Sequence, residues 1–219
     1  MAYDLQDKVA LVTGASRGLG FAVAEALAER GAHVIALART VGALEDLDDR
    51  IKAKGGSATL APIDLTKEEA VAGICRAIHD RWGHVDVLVH SAVHAPALSP
   101  ADHVAPKDFA KTFATNAEAT LRVIRMVAPL LSAAPNARAV FCDDIQDGDK
   151  FFTTYGASKA AARAMVQSWA SETARIGPKV TLFTPNPMPT ATRARFFPGE
   201  DRTGLSEPTT EAARLIDTL

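Results

Sequence analysis

Residues 9–20 read Val9-Ala-Leu-Val-Thr-Gly-Ala-Ser-Arg-Gly-Leu-Gly20, and this stretch decides the fold. Val9 to Val12 is a short apolar run, the pattern of a strand buried on both faces. The chain then breaks into a turn punctuated by Gly14, Gly18 and Gly20, and an Ala-rich segment of helical period starts at Phe21. Strand, glycine turn and helix N-terminus in this order make a cradle for phosphate. Unpaired backbone N–H groups and the positive end of the helix dipole converge where no side chain blocks a pyrophosphate. The spacing is G-x-x-x-G-x-G, not the G-x-G-x-x-G of many dinucleotide folds, so the flanking strand and helix carry the inference.

Outward from this stretch, strands and helices alternate. The first helix runs from about Gly18 to Arg30 and stops at Gly31. His33 to Ala38 is a second apolar strand, followed by an amphipathic helix from Gly42 to Lys54 that ends at Gly55-Gly56. Ala58 to Ile63 is a third strand, after which Thr66-x-x-Glu69 has the form of a capping box opening a helix that reaches about Trp82. Val85 to His90 is the fourth strand. A long helix is expected from Pro106 to Ala133, kinked near Pro129. Ala139 to Cys142 is the fifth strand, Thr154 to Ile176 a helix, and Val180 to Phe183 the sixth strand. A Pro/Arg-rich segment, 185–208, precedes a short final helix. Six strands with helical crossovers and no hairpin turns imply a parallel sheet covered on both faces, α/β in class, with the ligand outside the carboxyl ends of the strands. No repeat, linker or low-complexity tract divides residues 1–219, so one domain is expected.

Composition sets limits. With 47% apolar and 23% charged residues, 219 residues build one sizeable core. A formal charge of −2 lacks the basic excess of a nucleic-acid binder. No apolar run approaches membrane-spanning length and the N-terminus lacks a signal pattern, so a cytoplasmic protein is expected, with no membrane partner. Cys75 and Cys142 have neither disulfide nor metal spacing, and His90 and His94 lack a third ligand, so no metal is expected.

Chemistry concentrates in Tyr155-Gly-Ala-Ser-Lys159. Positions i and i+4 share a helix face, so phenol and ammonium can be neighbours. A positive charge beside a phenol lowers its pKa and tunes it to exchange a proton with a carbonyl or alcohol.

Together with the Thr13 to Gly20 turn, Asp64-Leu65 after the third strand, Asn116 in the long helix, and Pro185 with Thr190 after the sixth strand, this pair makes the whole chain resemble the short-chain dehydrogenase/reductase family. The resemblance implies a Rossmann-type, doubly wound three-layer α/β/α fold. The chain has six strands and no sign of the family's C-terminal seventh. It also implies that Tyr155 is the general acid/base, that Lys159 lowers its pKa and holds the nicotinamide ribose, and that Asn116 keeps a water relaying protons to Lys159. The dinucleotide would lie against Gly14, Ser16, Arg17, Gly18, Leu19 and Gly20 at the turn. It would pass Asp64 and Leu65 at the adenine and His90, Ser91 and Ala92 after the fourth strand. Pro185, Met188 and Thr190 would meet the carboxamide end. Ala38 stands where an acidic residue would bind the ribose of NAD, while Arg39 follows it and Arg17 sits in the turn. Two guanidiniums and no carboxylate suit the 2′-phosphate of NADP(H).

Three positions depart from the family pattern. His90-Ser91-Ala92-Val93 replaces Asn-Asn-Ala-Gly, and Asn186 replaces the Gly after Pro185. Cys142, followed by Asp143 and Asp144, occupies the place of the substrate-polarising Ser in the catalytic set of Asn116, Tyr155 and Lys159. A thiol is the weaker donor, and a carboxylate facing Tyr155 would raise its pKa. His94 is placed at the substrate pocket, and Arg193, Arg195 and Arg202 are available to an anionic substrate or to solvent. The function expected is hydride transfer between NADP(H) and a small carbonyl or alcohol. The alternative is an NADP(H)-binding relative with little dehydrogenase activity, serving as a sensor or assembly partner. A homodimer through the long helix and the Tyr155 helix is expected.

Overall fold

A computed structural model of the chain describes residues 4–219. Residues 1–3, which open the N-terminal stretch read above as lacking a signal pattern, lie outside the described residues. The elements in order are β1 (Val9–Thr13), α1 (Gly18–Glu29), β2 (His33–Ala38), α2 (Val41–Ala53), β3 (Ser57–Pro62), α3 (Glu68–Trp82), β4 (Val87–His90), α4 (Pro106–Phe113), α5 (Ala119–Ser132), β5 (Arg138–Cys142), α6 (Thr153–Thr173), β6 (Lys179–Phe183), α7 (Ala191–Phe196) and α8 (Pro208–Ile216). The strands form one parallel sheet of order β3-β2-β1-β4-β5-β6. The chain winds outward from β1 to one edge, then returns to β4 and winds to the other. The crevice above β1 and β4 is therefore the switch point where such sheets bind ligands.

The two-residue period of the strands sorts side chains between two cores. Ala10, Val12, Val34 and Ala36 pack against Leu19 and Leu27 of α1, Leu44 of α2 and Leu215 of α8. Val9, Leu11, Ile35 and Leu37 pack on the other face with Ile78 of α3, Val127 and Leu131 of α5 and Trp169 of α6. Both faces are covered, which is why β1 and β2 read as near-unbroken apolar runs. No helix among the described residues is long and apolar enough to cross a membrane.

Two local expectations need correction. The Thr66-x-x-Glu69 capping box does not form. Asp64 Oδ1 accepts from both the backbone N–H and the hydroxyl of Thr66 at 2.9 Å, and this Asx turn holds Thr66 outside α3, whose N-cap is Lys67. The single long helix from Pro106 to Ala133 is instead two α-helices joined by a wider π turn, Ala114–Glu118, while Pro129 lies inside α5. Other boundaries move by a few residues; β4 starts at Val87, and α6 ends at Thr173.

Candidate active site

A cavity of about 300 Å³ opens over the carboxyl ends of the strands. Gly14, Ser16, Arg17, Gly18, Leu19, Gly20, Arg39, Asp64, Leu65, Ser91 and Ala92 line one end, with Thr190 against Gly18, and Cys142, Tyr155, Lys159, Pro185 and Met188 the other. Gly14 has φ +71°, and a Cβ on it would come within 2.8 Å of the Ala92 backbone nitrogen. Only glycine lets the end of β1 touch the chain leaving β4, a contact tightened by Ser91 Oγ donating to the Thr13 carbonyl at 2.7 Å. No side chain caps α1, and no acidic residue stands in its first turn. Its amides and dipole are thus left for an anion at the cavity. Arg17 and Arg39 border the same end, and neither makes an ion pair with another described residue. Burial pushes the Asp64 carboxyl up, but the bonds from Thr66 and the charges of Arg39 and Lys67 outweigh it and hold the group below its ordinary range.

At the other end, α6 carries Tyr155 and Lys159 one turn apart, yet their charges are arranged differently from the sequence expectation. The Tyr155 hydroxyl donates to Asp144 Oδ2 at 2.8 Å, and Gln146 Nε2 donates to the other oxygen of that carboxylate at 3.0 Å. Lys159 Nζ donates to the Cys142 carbonyl at 2.8 Å and stands 3.9 Å from Asp143. Arg163 Nε holds Asp143 Oδ2 at 2.5 Å. Burial, and then the facing Asp144 carboxylate, push the Tyr155 phenol well above its ordinary pKa. The expected lowering by Lys159 is overturned because the ammonium is turned to the Cys142 carbonyl and Asp143 while the hydroxyl meets a carboxylate. Burial lowers the Lys159 pKa, opposed by Asp143. The Cys142 thiol borders the cavity, and burial pushes it up to about 12, so it stays S–H and is no nucleophile at neutral pH. Gly156 makes this arrangement possible. A Cβ there would meet the Gln146 carbonyl oxygen at 2.5 Å, so only glycine lets the loop after β5 lie on α6 and bring Asp144 to Tyr155.

Asn116 and His90 lie behind this cavity and not on its wall. Asn116 sits in the π turn, and both ends of its side-chain amide are engaged. Its Oδ1 accepts from the His94 N–H at 2.7 Å, and its Nδ2 donates to the His94 carbonyl at 3.0 Å and to Ser158 Oγ at 2.9 Å. His94, expected at the substrate pocket, has its backbone fastened by Asn116 and does not line the cavity. His90 is buried, with Nδ1 2.9 Å from Thr13 Oγ1 and Nε2 3.1 Å from Thr120 Oγ1. The Thr120 hydroxyl already donates to the Asn116 carbonyl at 2.7 Å, so Nε2 must be the ring's donor and Nδ1 its acceptor. Burial, and to a lesser degree Lys159, lower the His90 pKa to about 3.

The sequence reading missed Glu211. This wholly buried carboxylate of α8 accepts from the Asn186 N–H and Nδ2, both at 3.0 Å, from Ser206 Oγ at 2.7 Å, and from Arg214. Asn186, the departure from Gly after Pro185, thereby ties the 185–208 segment to α8. Of the arginines there, Arg193 reaches the cavity but is held at Nε by Glu200 at 2.7 Å, while Arg195 and Arg202 are exposed. Thr190 caps α7 by accepting from the Arg193 N–H at 3.3 Å.

A family profile described as "short chain dehydrogenase" matches residues 8–201. An uncharacterized oxidoreductase of Staphylococcus saprophyticus is 31% identical over 192 residues, 85% of this chain and 81% of that protein. A short chain dehydrogenase from Shigella flexneri superposes with a TM-score of 0.88 at 26% identity, covering 99% of this chain and 88% of its own. A metagenomic short-chain oxidoreductase solved in complex with NADP superposes with a TM-score of 0.84 at 28% identity, covering 99% and 93%.

Proposed function

The chain belongs to the short-chain dehydrogenase family, and from that premise we propose that it is an NADP(H)-dependent oxidoreductase interconverting a carbonyl and an alcohol. The observation that carries the reading is one cavity with an anion cradle at one end and Tyr155 with Lys159 at the other. The uncapped first turn of α1 would hold the pyrophosphate, and Arg17 and Arg39 would pair with the 2′-phosphate. A related structure carries NADP. When bound, the cofactor supplies or accepts the hydride at the carbonyl carbon. Tyr155 gives its proton to the carbonyl oxygen as the alcohol forms, and Lys159 orients the ribose. A void of about 10 Å³, lined by Asn116, Lys159, Thr120 and Asp143, is about the size of one water, which supports the proton relay to Lys159. A phenol pushed up in pKa enters the reaction as O–H, the form that donates a proton to a carbonyl. Segment 185–208 would close over the substrate, and the homodimer through α5 and α6 belongs to the same reading.

The second reading, a cofactor-binding protein with little turnover, draws on Cys142 in the polarising position and on the Tyr155–Asp144 bond. Titration with NADPH and NADH, followed by a carbonyl panel, tests both. NADPH is expected to bind at least tenfold more tightly, by roughly the worth of a charge-assisted bond to phosphate, and Arg39→Asp should reverse the order. Equal affinities in the unmutated protein would remove the NADP(H) assignment, and tight NADPH binding with no carbonyl reduced would favour the second reading.

A further inference from the structure

Asp144 is a carboxylate inside the substrate end of the cavity whose hydrogen-bond donors are all neutral: the Tyr155 hydroxyl at 2.8 Å and Gln146 Nε2 at 3.0 Å. The other charges nearby are matched. Asp143 is taken by Arg163 at 2.5 Å and faces Lys159 at 3.9 Å; Lys159 and Arg193 both feel the Asp144 charge without bonding to it, and Arg193 is gripped by Glu200. Aromatic rings line the same cavity, and Arg193 already lies over the Phe197 face, 4.4 Å from its centroid. The Phe196 ring centroid lies 4.8 Å from that of Tyr155, and Phe197 also lines the wall. A cavity-lining carboxylate whose hydrogen-bond donors are all neutral can receive a cation.

Resting on the oxidoreductase reading above, we propose that Asp144 selects substrates bearing an ammonium group within a few atoms of the reacting carbonyl. The position follows from two hydrogen bonds in sequence. The carbonyl oxygen must lie within bonding reach of Tyr155 Oη, and Asp144 Oδ2 is 2.8 Å from the same oxygen. A substrate donor that meets Asp144 is a third hydrogen bond away, so it sits within roughly 8 Å of the carbonyl oxygen, a range that includes the vicinal amino ketones. The same contact frees the catalytic group. An ammonium on Asp144 takes the acceptor that Tyr155 otherwise uses and partly cancels its charge, so the phenol turns its O–H to the carbonyl oxygen. In the balanced step, hydride goes from NADPH to the carbonyl carbon and the Tyr155 proton to its oxygen, giving an amino alcohol and NADP⁺. The phenolate regains a proton from solvent. A carboxylate at the same place on the substrate would be repelled.

The test uses three ketones of matched shape with the purified protein and NADPH: α-aminoacetophenone, its neutral isostere propiophenone, and benzoylformate. The ammonium ketone is expected to exceed the neutral one in kcat/KM by roughly ten- to a hundredfold, the factor carried by a hydrogen bond to a charged group, with benzoylformate slowest. Asp144→Asn should lower the first ratio by about tenfold or more, leaving only the intrinsic activation of the ketone by its ammonium group. Asp144→Glu, which keeps the charge, should retain part of it. Calorimetric binding of the corresponding amino alcohol to the NADP⁺-saturated protein reads the same site without turnover and should weaken in Asp144→Asn. Equal use of the ammonium and neutral ketones, or preference for benzoylformate, overturns the inference and leaves the oxidoreductase reading standing. If no ketone is reduced, the oxidoreductase reading fails; Asp144-dependent binding of the amino alcohol would then still support the cation site, and its absence would overturn that too.

Discussion

His90 shows how a residue can occupy a family position and serve a different physical purpose. Read in sequence, it stands where the resemblance places a cofactor contact. In the fold it spans Thr13 on β1 and Thr120 on α5 beneath the cavity floor, with both ring nitrogens engaged. Its partners come from elements far apart in sequence, and no local pattern announces them. Its acid behaviour follows directly. The unfolded imidazole takes a proton below its ordinary value of 6.5, whereas the folded one refuses it until about pH 3. Because the folded pKa is depressed, the stabilisation is complete above pH 6.5 and is lost as pH falls through that window, at about 1.4 kcal/mol per pH unit. Urea unfolding across this range should show His90→Gln less stable than the parent near neutral pH but with a shallower acid slope by one proton; parallel slopes would refute the assignment. The Tyr155 hydroxyl teaches the same lesson. Its spacing to Lys159 was legible, and so was the hazard of a carboxylate from Asp143 or Asp144; which of them reaches it was not, because Asp144 arrives on a loop that lies against Gly156 and includes Phe151 at φ +73°.

At the scale of elements, the strands were the most legible part of the chain, since burial on both faces writes an apolar run that needs no context. The terminal helix was legible as a helix but not as a clasp. Glu211 has the look of a solvent-facing glutamate paired with Arg214 at i+3, and only the packing of α8 on α1 makes it an interior acceptor for the 185–208 segment. Burial works against its ionisation, yet Ser206, Asn186 and Arg214 outweigh that and hold the carboxyl below its ordinary range. Glu211→Ala should leave the Asn186 and Ser206 donors without their acceptor and cost roughly 1–3 kcal/mol. Denaturant unfolding measures that cost, and limited proteolysis should place the first new cuts within 185–208. Cleavage unchanged from the parent would show that α8 does not restrain the segment.

For the whole molecule, the crevice at the reversal of strand order could be located from the alternation of strands and helices alone, because right-handed crossovers leave a parallel sheet few ways to close. The capping box and the continuous long helix were misread for a common reason: each was decided by a competing local bond or an added residue, not by hydrophobic period. The π turn between α4 and α5 has a further consequence. A π turn is an α-helix that has absorbed one extra residue locally, so the helices on either side keep the faces they would have without it. Deleting Thr115 should therefore let Ala114–Glu118 relax to an ordinary helix while the two cores stay filled, and the thermal midpoint should move by only a few degrees, the shift that about 1–2 kcal/mol gives in a chain of this size. What would be lost is the angle at which Asn116 reaches His94 and Ser158, and with it reduction of any carbonyl substrate. On the reading proposed above, a descendant one residue shorter at this turn would inherit the architecture and lose the activity in a single event.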